Sequence, residues 1–202
     1  MSDESKPRLT DQKRASIVKA AVEEFRSRGY YTASMNRIAE QAQISKRTLY
    51  RHFDSKEALF DAIIEELMQR MDHIPYEDFD EDKDLAEQLA AVATVEIEFL
   101  SSEPVQASAR AGLSRVIGEP EAARSIDHDR FHKPFIRWLR QAKTAGYLPR
   151  LQDVEYAAQQ FAFQLQAFAF WPPIIRGELK LSVRRRNKIV KETVQMFMDR
   201  YS

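Results

Sequence analysis

The chain has 202 residues, with 31 lysines and arginines against 31 aspartates and glutamates, five glycines and no cysteine. That length accommodates a small head domain plus a second domain with its own core. The lack of cysteine excludes disulfides, thiolate zinc sites and cysteine nucleophiles. The net charge of zero hides an asymmetry: residues 1–60 carry 12 basic and 8 acidic side chains, a balance of +4, and residues 61–202 carry 19 and 23, a balance of −4. A basic head on an acidic body is expected when only one end meets phosphate. The opening MSDESKPRLTDQKR is too polar for a signal peptide, and no apolar run approaches the roughly 18 residues of a membrane span. The expected setting is therefore the cytoplasm, with no membrane partner. Few glycines and no apolar–polar alternation predict an all-α fold of about nine helices.

Residues 1–9 read as a charged tail. A first helix is expected from Thr10 or Asp11 to Arg28, with Ile17, Ala20, Ala21 and Phe25 on one face and Gly29 as its C-cap. Ser34 is placed to cap a second helix, in which Met35, Ile38, Ala39 and Ala42 recur at helical spacing. Gln43-Ile44-Ser45 interrupts that pattern, and Ser45 can cap a third helix, Lys46 to His52, with Leu49 facing inward. Two short helices around a tight break form a helix-turn-helix, whose second helix lies in the major groove of duplex DNA. The outward residues Lys46, Arg47, Thr48, Tyr50, Arg51 and His52 are nearly all hydrogen-bond donors, and none is acidic. Phosphates and guanine edges are acceptors, so an acid-free donor surface suits DNA. Ser34, Arg37 and Ser45 complete the expected contact set on the preceding helix and the turn. Asp54 and Glu57 stand at capping-box spacing at the head of a fourth helix. Lys56 lies in its first turn, where free N–H groups already favour an anion, and is read as a phosphate clamp.

The segment TASMNRIAEQAQISKRTLYRHFDSKEALF resembles the N-terminal domain of the tetracycline-repressor (TetR) family of bacterial transcription regulators. The resemblance extends back through IVKAAVEEFRSRGY (Ile17 to Tyr30) and forward to about Glu66, roughly the first third of the chain. It implies backbone contacts from Lys56 and from the cap of the second helix, and so supports Ser34, Tyr50 and His52 as DNA contacts. Two positions depart from the family pattern. Gln43 stands where a turn glycine is common, and a non-glycine with positive φ costs on the order of 1 kcal/mol. Arg47 replaces a small residue at the front of the recognition helix and places a fork-shaped donor within reach of a base edge. The domain division expected is 1–58 for the DNA head and 59–202 for a helical effector-binding and dimerisation domain.

In the body, Asp72 to Asp84 has seven acids to one lysine and reads as a loop marking the boundary. Leu85 to Leu100 is an amphipathic helix, Pro104 reads as a break, and Val105 to Ile117 as a further helix. Glu121 to Ala145 is expected as one long helix, with Pro134 either kinking it or sitting near the start of its second half. Val154 to Trp171 is apolar on two faces, which calls for two packing partners. Trp171-Pro-Pro173 is expected to stop it. The last helix, Ser182 to Arg200, carries Val183, Val190, Val194, Phe197 and Tyr201 in a stripe. Two such helices pair naturally across a two-fold axis, so a homodimer is expected through residues about 153–171 and 182–201. Arg184-Arg185-Arg186 reads as a solvated first turn.

The resemblance implies a small-molecule pocket among the middle helices, and the aromatic content suits a hydrophobic or aromatic effector. Candidate contacts are Phe131, Phe135, Trp138 and Phe168, with Gln160, Gln164, Arg110 and Arg115 as orienting groups. His128 and His132 share a helical face, but no third ligand joins them, so no metal and no cofactor is expected. No glycine-rich phosphate loop, nucleophile elbow or paired carboxylate suggests an enzyme. The expected function is a ligand-responsive repressor that binds a palindromic operator as a homodimer. The alternative is a helical protein-interaction adaptor without an effector, using the Val154–Trp171 face.

Overall fold

The computed structural model describes residues 9–74, 76–124, 127–177 and 181–202. In chain order the helices are α1 (Leu9–Arg28), α2 (Met35–Gln41), α3 (Lys46–His52), α4 (Lys56–Asp72), α5 (Leu85–Leu100) and α6 (Glu103–Gly118). They continue with α7 (Pro120–Arg124), a 3₁₀ turn (His128–His132), α8 (Lys133–Thr144), α9 (Val154–Ala169), α10 (Trp171–Arg176) and α11 (Val183–Tyr201). No strand occurs among the described residues. The fold is all-α as expected. Nine of these α-helices have at least seven residues, while α7 and α10 are pieces of five and six.

Three helix boundaries correct the expectations, each because a proline tolerates the first turn of a helix, where the N–H it lacks has no intrahelical partner. Pro104 does not break the chain but sits in the opening turn of α6, whose first bond runs from Gln106 N–H to Ser102 O at 3.0 Å. Residues 121–145 are not one helix. Asp127 caps the 3₁₀ turn by accepting from Arg130 N–H at 3.1 Å, and Pro134 starts α8 rather than kinking a longer helix. Trp171-Pro172-Pro173 does end α9, yet the same prolines open α10. A fourth correction concerns capping: Ser55, not Asp54, caps α4, its Oγ accepting from Ala58 N–H at 3.1 Å.

The chain forms two compact units. The first contains the described residues within Met1–Leu67 and Ala107–Ile126; the second contains those within Met68–Gln106 and Asp127–Ser202. Residues 107–124 thus belong with the head in this division, although they lie far along the chain. The core of the first unit gathers Ile17, Ala21, Phe25, Tyr30, Ile38, Leu49 and Phe60, each at most 2 % exposed. Tyr30 packs 5.5 Å from Phe25 and 5.4 Å from Phe60, centroid to centroid. Gly112 of α6 lies so close to Phe60 that a Cβ there would meet its ring at 3.2 Å. Arg115, one α-helical turn further, lays its guanidinium 5.0 Å from the Tyr30 centroid and 4.6 Å from that of Phe60. Its donors end on Asp61 at 2.9 Å and Glu119 at 3.1 Å, so a buried cation is both stacked and paired.

In the second unit α5 packs on α9 and α11, and α8 packs on α9. Phe135 packs tilted on Phe161, and Phe161 meets Phe197 edge to face, with centroids 4.7 and 5.4 Å apart. The acidic segment after α4 is a loop, as expected, but it belongs to this unit rather than dividing it from the other. Phe79 is pinned edge-on to Trp138 and Tyr147, each at 5.3 Å, and the Tyr147 hydroxyl donates to Glu81 O at 2.7 Å. Two aromatic contacts and a backbone bond hold a stretch that its charge alone would leave solvated. No helix among the described residues is long and apolar enough to cross a membrane.

Candidate nucleic-acid interface

The break between α2 and α3 is built by local chemistry. Gln43 takes φ 54°, the left-handed region, which lets Ile44 N–H return to Ala39 O at 3.0 Å and close α2. Ser45, extended at φ −71° and ψ 152°, accepts from Thr48 N–H at 3.1 Å and starts α3. Leu49 is wholly buried, and Phe53 behind it carries the Arg14 guanidinium 4.6 Å from its ring centroid. With its one apolar residue anchored, α3 presents Lys46, Arg47, Tyr50 and Arg51 to solvent; Thr48 and His52 are half-buried. His52 Nε2 is buried with no hydrogen-bond partner among the described residues. The ridge is acid-free and exposed, which is the geometry that groove recognition requires.

Besides Ser45 and Thr48, three of the expected contact residues are already engaged within the chain. Ser34 does not cap α2 with its side chain. The carboxylate of Glu24, fully buried on α1, does so from ten residues away, accepting from Ser34 N–H at 3.1 Å. The same Oε1 accepts from Arg37 Nε at 2.7 Å, and Arg37 Nη2 donates to Thr32 O at 2.7 Å. Lys56 donates to Tyr30 O at 3.0 Å and Tyr31 O at 3.3 Å, with its ammonium 4.7 Å from the Tyr30 centroid. That fixes the ammonium at the turn between α1 and α2. Glu24 and Tyr30 escaped the sequence reading as supports of the interface. The signal for Glu24 was present: an acid three and four residues after Ala21 and Ala20, on an otherwise apolar face.

The eight residues expected around an effector do not converge. Phe131 lines a cleft in the second unit together with Tyr76, Glu96, Phe99, His132 and Gln166. Phe135 and Trp138 are 1 % and 3 % exposed and fill the core. Gln160 accepts from the Tyr201 hydroxyl at 2.6 Å, Gln164 lies 2.9 Å from Met196 Sδ, and Phe168 sits under Arg185 at 5.6 Å. Arg110 and Arg115 lie in the first unit, Arg110 exposed and Arg115 stacked as above. The side chain of His128 is outside the described residues. Among those that are described, no group of three His, Cys, Asp or Glu side chains could hold a metal.

Residues 17–63 match the family described as bacterial regulatory proteins, tetR family. Residues 87–202 match the AefR-like transcriptional repressor C-terminal domain. A crystal structure of a TetR family transcriptional regulator from Pseudomonas syringae pv. tomato str. DC3000 superposes with a TM-score of 0.82 at 35 % identity, covering 96 % of this chain and 98 % of that one. The HTH-type transcriptional regulator UidR of Escherichia coli K12 is 51 % identical over 51 residues, 25 % of this chain and 26 % of UidR. The HTH-type transcriptional activator FasR of Mycolicibacterium smegmatis is 44 % identical over 55 residues, 27 % of this chain and 25 % of FasR. The chain therefore aligns with about a quarter of the length of these curated relatives. With an exposed donor ridge on a capped recognition helix and family matches over both parts of the sequence, the chain belongs to the tetR family of bacterial regulatory proteins, DNA-binding transcriptional regulators and not enzymes.

Proposed function

We propose that this regulator is a cytoplasmic repressor that binds a palindromic operator as a homodimer and is released by a small hydrophobic or aromatic effector. The observation that carries the reading is the exposed, acid-free surface of α3, with Leu49 buried beneath it. Ser45, Lys46, Arg47, Thr48, Tyr50, Arg51 and His52 are the groove and backbone contacts, with Ser34, Arg37 and Lys56 at the flanking phosphates. Residues 1–58 act as the DNA head, and residues 59–202 take the effector and the second copy. The match of residues 87–202 to a repressor's C-terminal domain favours repression, whereas one curated relative, FasR, is an activator.

Dimerisation is supported by α9. Tyr156, Gln160, Phe163 and Ala167 are all exposed and recur at steps of four, three and four, a single stripe on the side away from the buried Ala158, Phe161 and Leu165. Met196 of α11 adds to the exposed apolar surface at 59 %. Such a face suits a self-complementary two-fold interface. It would also serve a helical adaptor that binds another protein.

A gel shift with the DNA flanking the protein's own gene tests the first claim: a salt-sensitive complex supports it, and no shift at any probe defeats it. Light scattering tests the second. A dimer supports the repressor reading, and a stable monomer with the α9 stripe open to solvent favours the adaptor.

A further inference from the structure

The buried face of α5 consists of Leu85, Leu89, Val92, Ala93, Ile97 and Leu100, plus one charged residue, Glu96. Glu96 is 7 % exposed, and its Oε1 accepts from the Tyr76 hydroxyl at 2.6 Å. A carboxyl in such surroundings is costly to ionise, and burial pushes its pKa up to about 7 in spite of the Tyr76 bond. The group borders the cleft with Phe99 of the same helix, Phe131 and His132 of the 3₁₀ turn, and Gln166 of α9.

Among the described residues that line the cleft, Glu96 is the one acid and His132 the one basic group, with no lysine and no arginine. A carboxylate or phosphate ligand would meet Glu96 as a like charge, with Tyr76 already committed to that same carboxyl. A protonated amine meets the reverse. The carboxylate offers acceptor lone pairs beyond the one that Tyr76 uses, and the faces of Phe99 and Phe131 attract a cation brought near them. An incoming ammonium supplies the counter-charge whose absence makes ionised Glu96 unfavourable.

We propose that this cleft binds a small organic amine in its protonated form, with the nitrogen on Glu96 and an aromatic or branched apolar body against Phe99 and Phe131. The inference rests on the reading of residues 59–202 as the effector-binding part and narrows its ligand to a cation. The occupant is small. The cleft as it stands has a volume of about 20 Å³, room for a single water molecule. An aromatic or branched amine enters only if Phe99 and Phe131, both half-buried, turn aside.

Three probes of one shape test it: benzylamine, benzyl alcohol and benzoate, titrated calorimetrically into the full chain at pH 7.5. The expected result is benzylamine binding at least about tenfold more tightly than the other two, the difference a paired charge makes in a desolvated site. Glu96→Gln, which keeps the shape and removes the charge, brings benzylamine down to the level of the alcohol and leaves the alcohol unchanged. Benzoate ranking first, the alcohol equalling the amine, the preference surviving in Glu96→Gln, or no binding of any probe at millimolar concentration overturns the proposal. If Glu96→Gln fails to fold, the ranking on the unmodified chain decides alone. A gel shift with and without benzylamine separates this proposal from the reading beneath it. Tight binding that leaves the DNA complex intact defeats the effector role and leaves the amine site standing.

Discussion

Arg37 on α2 and Glu24 on α1 form the ion pair that sets the approach of the helix-turn-helix to the rest of its unit. Arg37 Nε lies 2.7 Å from Glu24 Oε1, and the carboxylate is fully buried while the guanidinium side chain is 39 % exposed. The same oxygen also holds Ser34 N–H, so one acid caps α2 and holds its arginine. Arg28 approaches the other oxygen at 3.7 Å without forming a hydrogen bond.

Removing this carboxylate is expected to destabilise the protein. Glu24→Ala loses the α2 cap and leaves a cavity and an arginine without its acceptor, together about 2–4 kcal/mol, discounted because solvent reaches Arg37. Urea unfolding measures it. Arg37→Ala should cost a comparable amount, since it strands a buried acid, and the double change Glu24→Leu with Arg37→Ala should recover most of the loss. Equal stability of Glu24→Ala and the unmodified chain would mean that the pair contributes nothing.

Gln43 holds a left-handed conformation that its Cβ disfavours by about 1–2 kcal/mol. Gln43→Gly removes that strain at an entropic cost of about 0.5–1 kcal/mol in the unfolded chain. The net expectation is a gain of about 0.5–1 kcal/mol, read as a higher denaturant midpoint with an unchanged slope. A loss of stability would show that the Gln43 side chain makes interactions that outweigh the strain.

Two lysine and arginine changes should differ in kind. Lys56→Ala removes an ammonium fixed on Tyr30 O and Tyr31 O, so it should weaken binding to every DNA sequence and lower the salt slope by about 1. Arg47, exposed at the front of α3, should read a base. Arg47→Ala then relaxes discrimination at one operator position by about 1–3 kcal/mol. Competition binding across a set of singly substituted operators distinguishes them, and a uniform loss from both changes removes base reading from Arg47.

Glu96 should make stability depend on pH between about 4.5 and 7. Its carboxyl titrates at about 7 when folded against 4.5 when free, with Tyr76 and His132 as the titratable neighbours lining the cleft. In that window the folded chain holds a proton that the unfolded chain has released, so stability falls as pH rises and levels off above about 7. The size is on the order of 3 kcal/mol. Glu96→Gln removes this contribution, and unfolding both proteins at pH 5, 6, 7 and 8 isolates it as their difference. Parallel pH profiles would show that Glu96 is ionised in the fold.

Short-range chemistry was legible in the residue order. Ser45, three residues before the N–H it caps, the inward Leu49 and the outward Lys46, Arg47, Tyr50 and Arg51 follow from spacing along one or two turns, and the structure places them accordingly, while Thr48 and His52 are half-buried. The left-handed residue at Gln43 was suggested only by the family resemblance, in which a turn glycine is common at that position. The longer partnerships were decided only by tertiary packing. Glu24 caps a helix ten residues away, Lys56 turns back 26 residues to Tyr30 O, and Tyr76 meets Glu96 across 20. Nor could spacing tell that residues 121–145 divide, because a proline that opens a helix and one that bends it look alike until the preceding turn is seen. Capping and periodicity act between neighbours in the chain. Where a buried charge finds its partner depends on which helices pack together, and that depends on the folding of the whole unit.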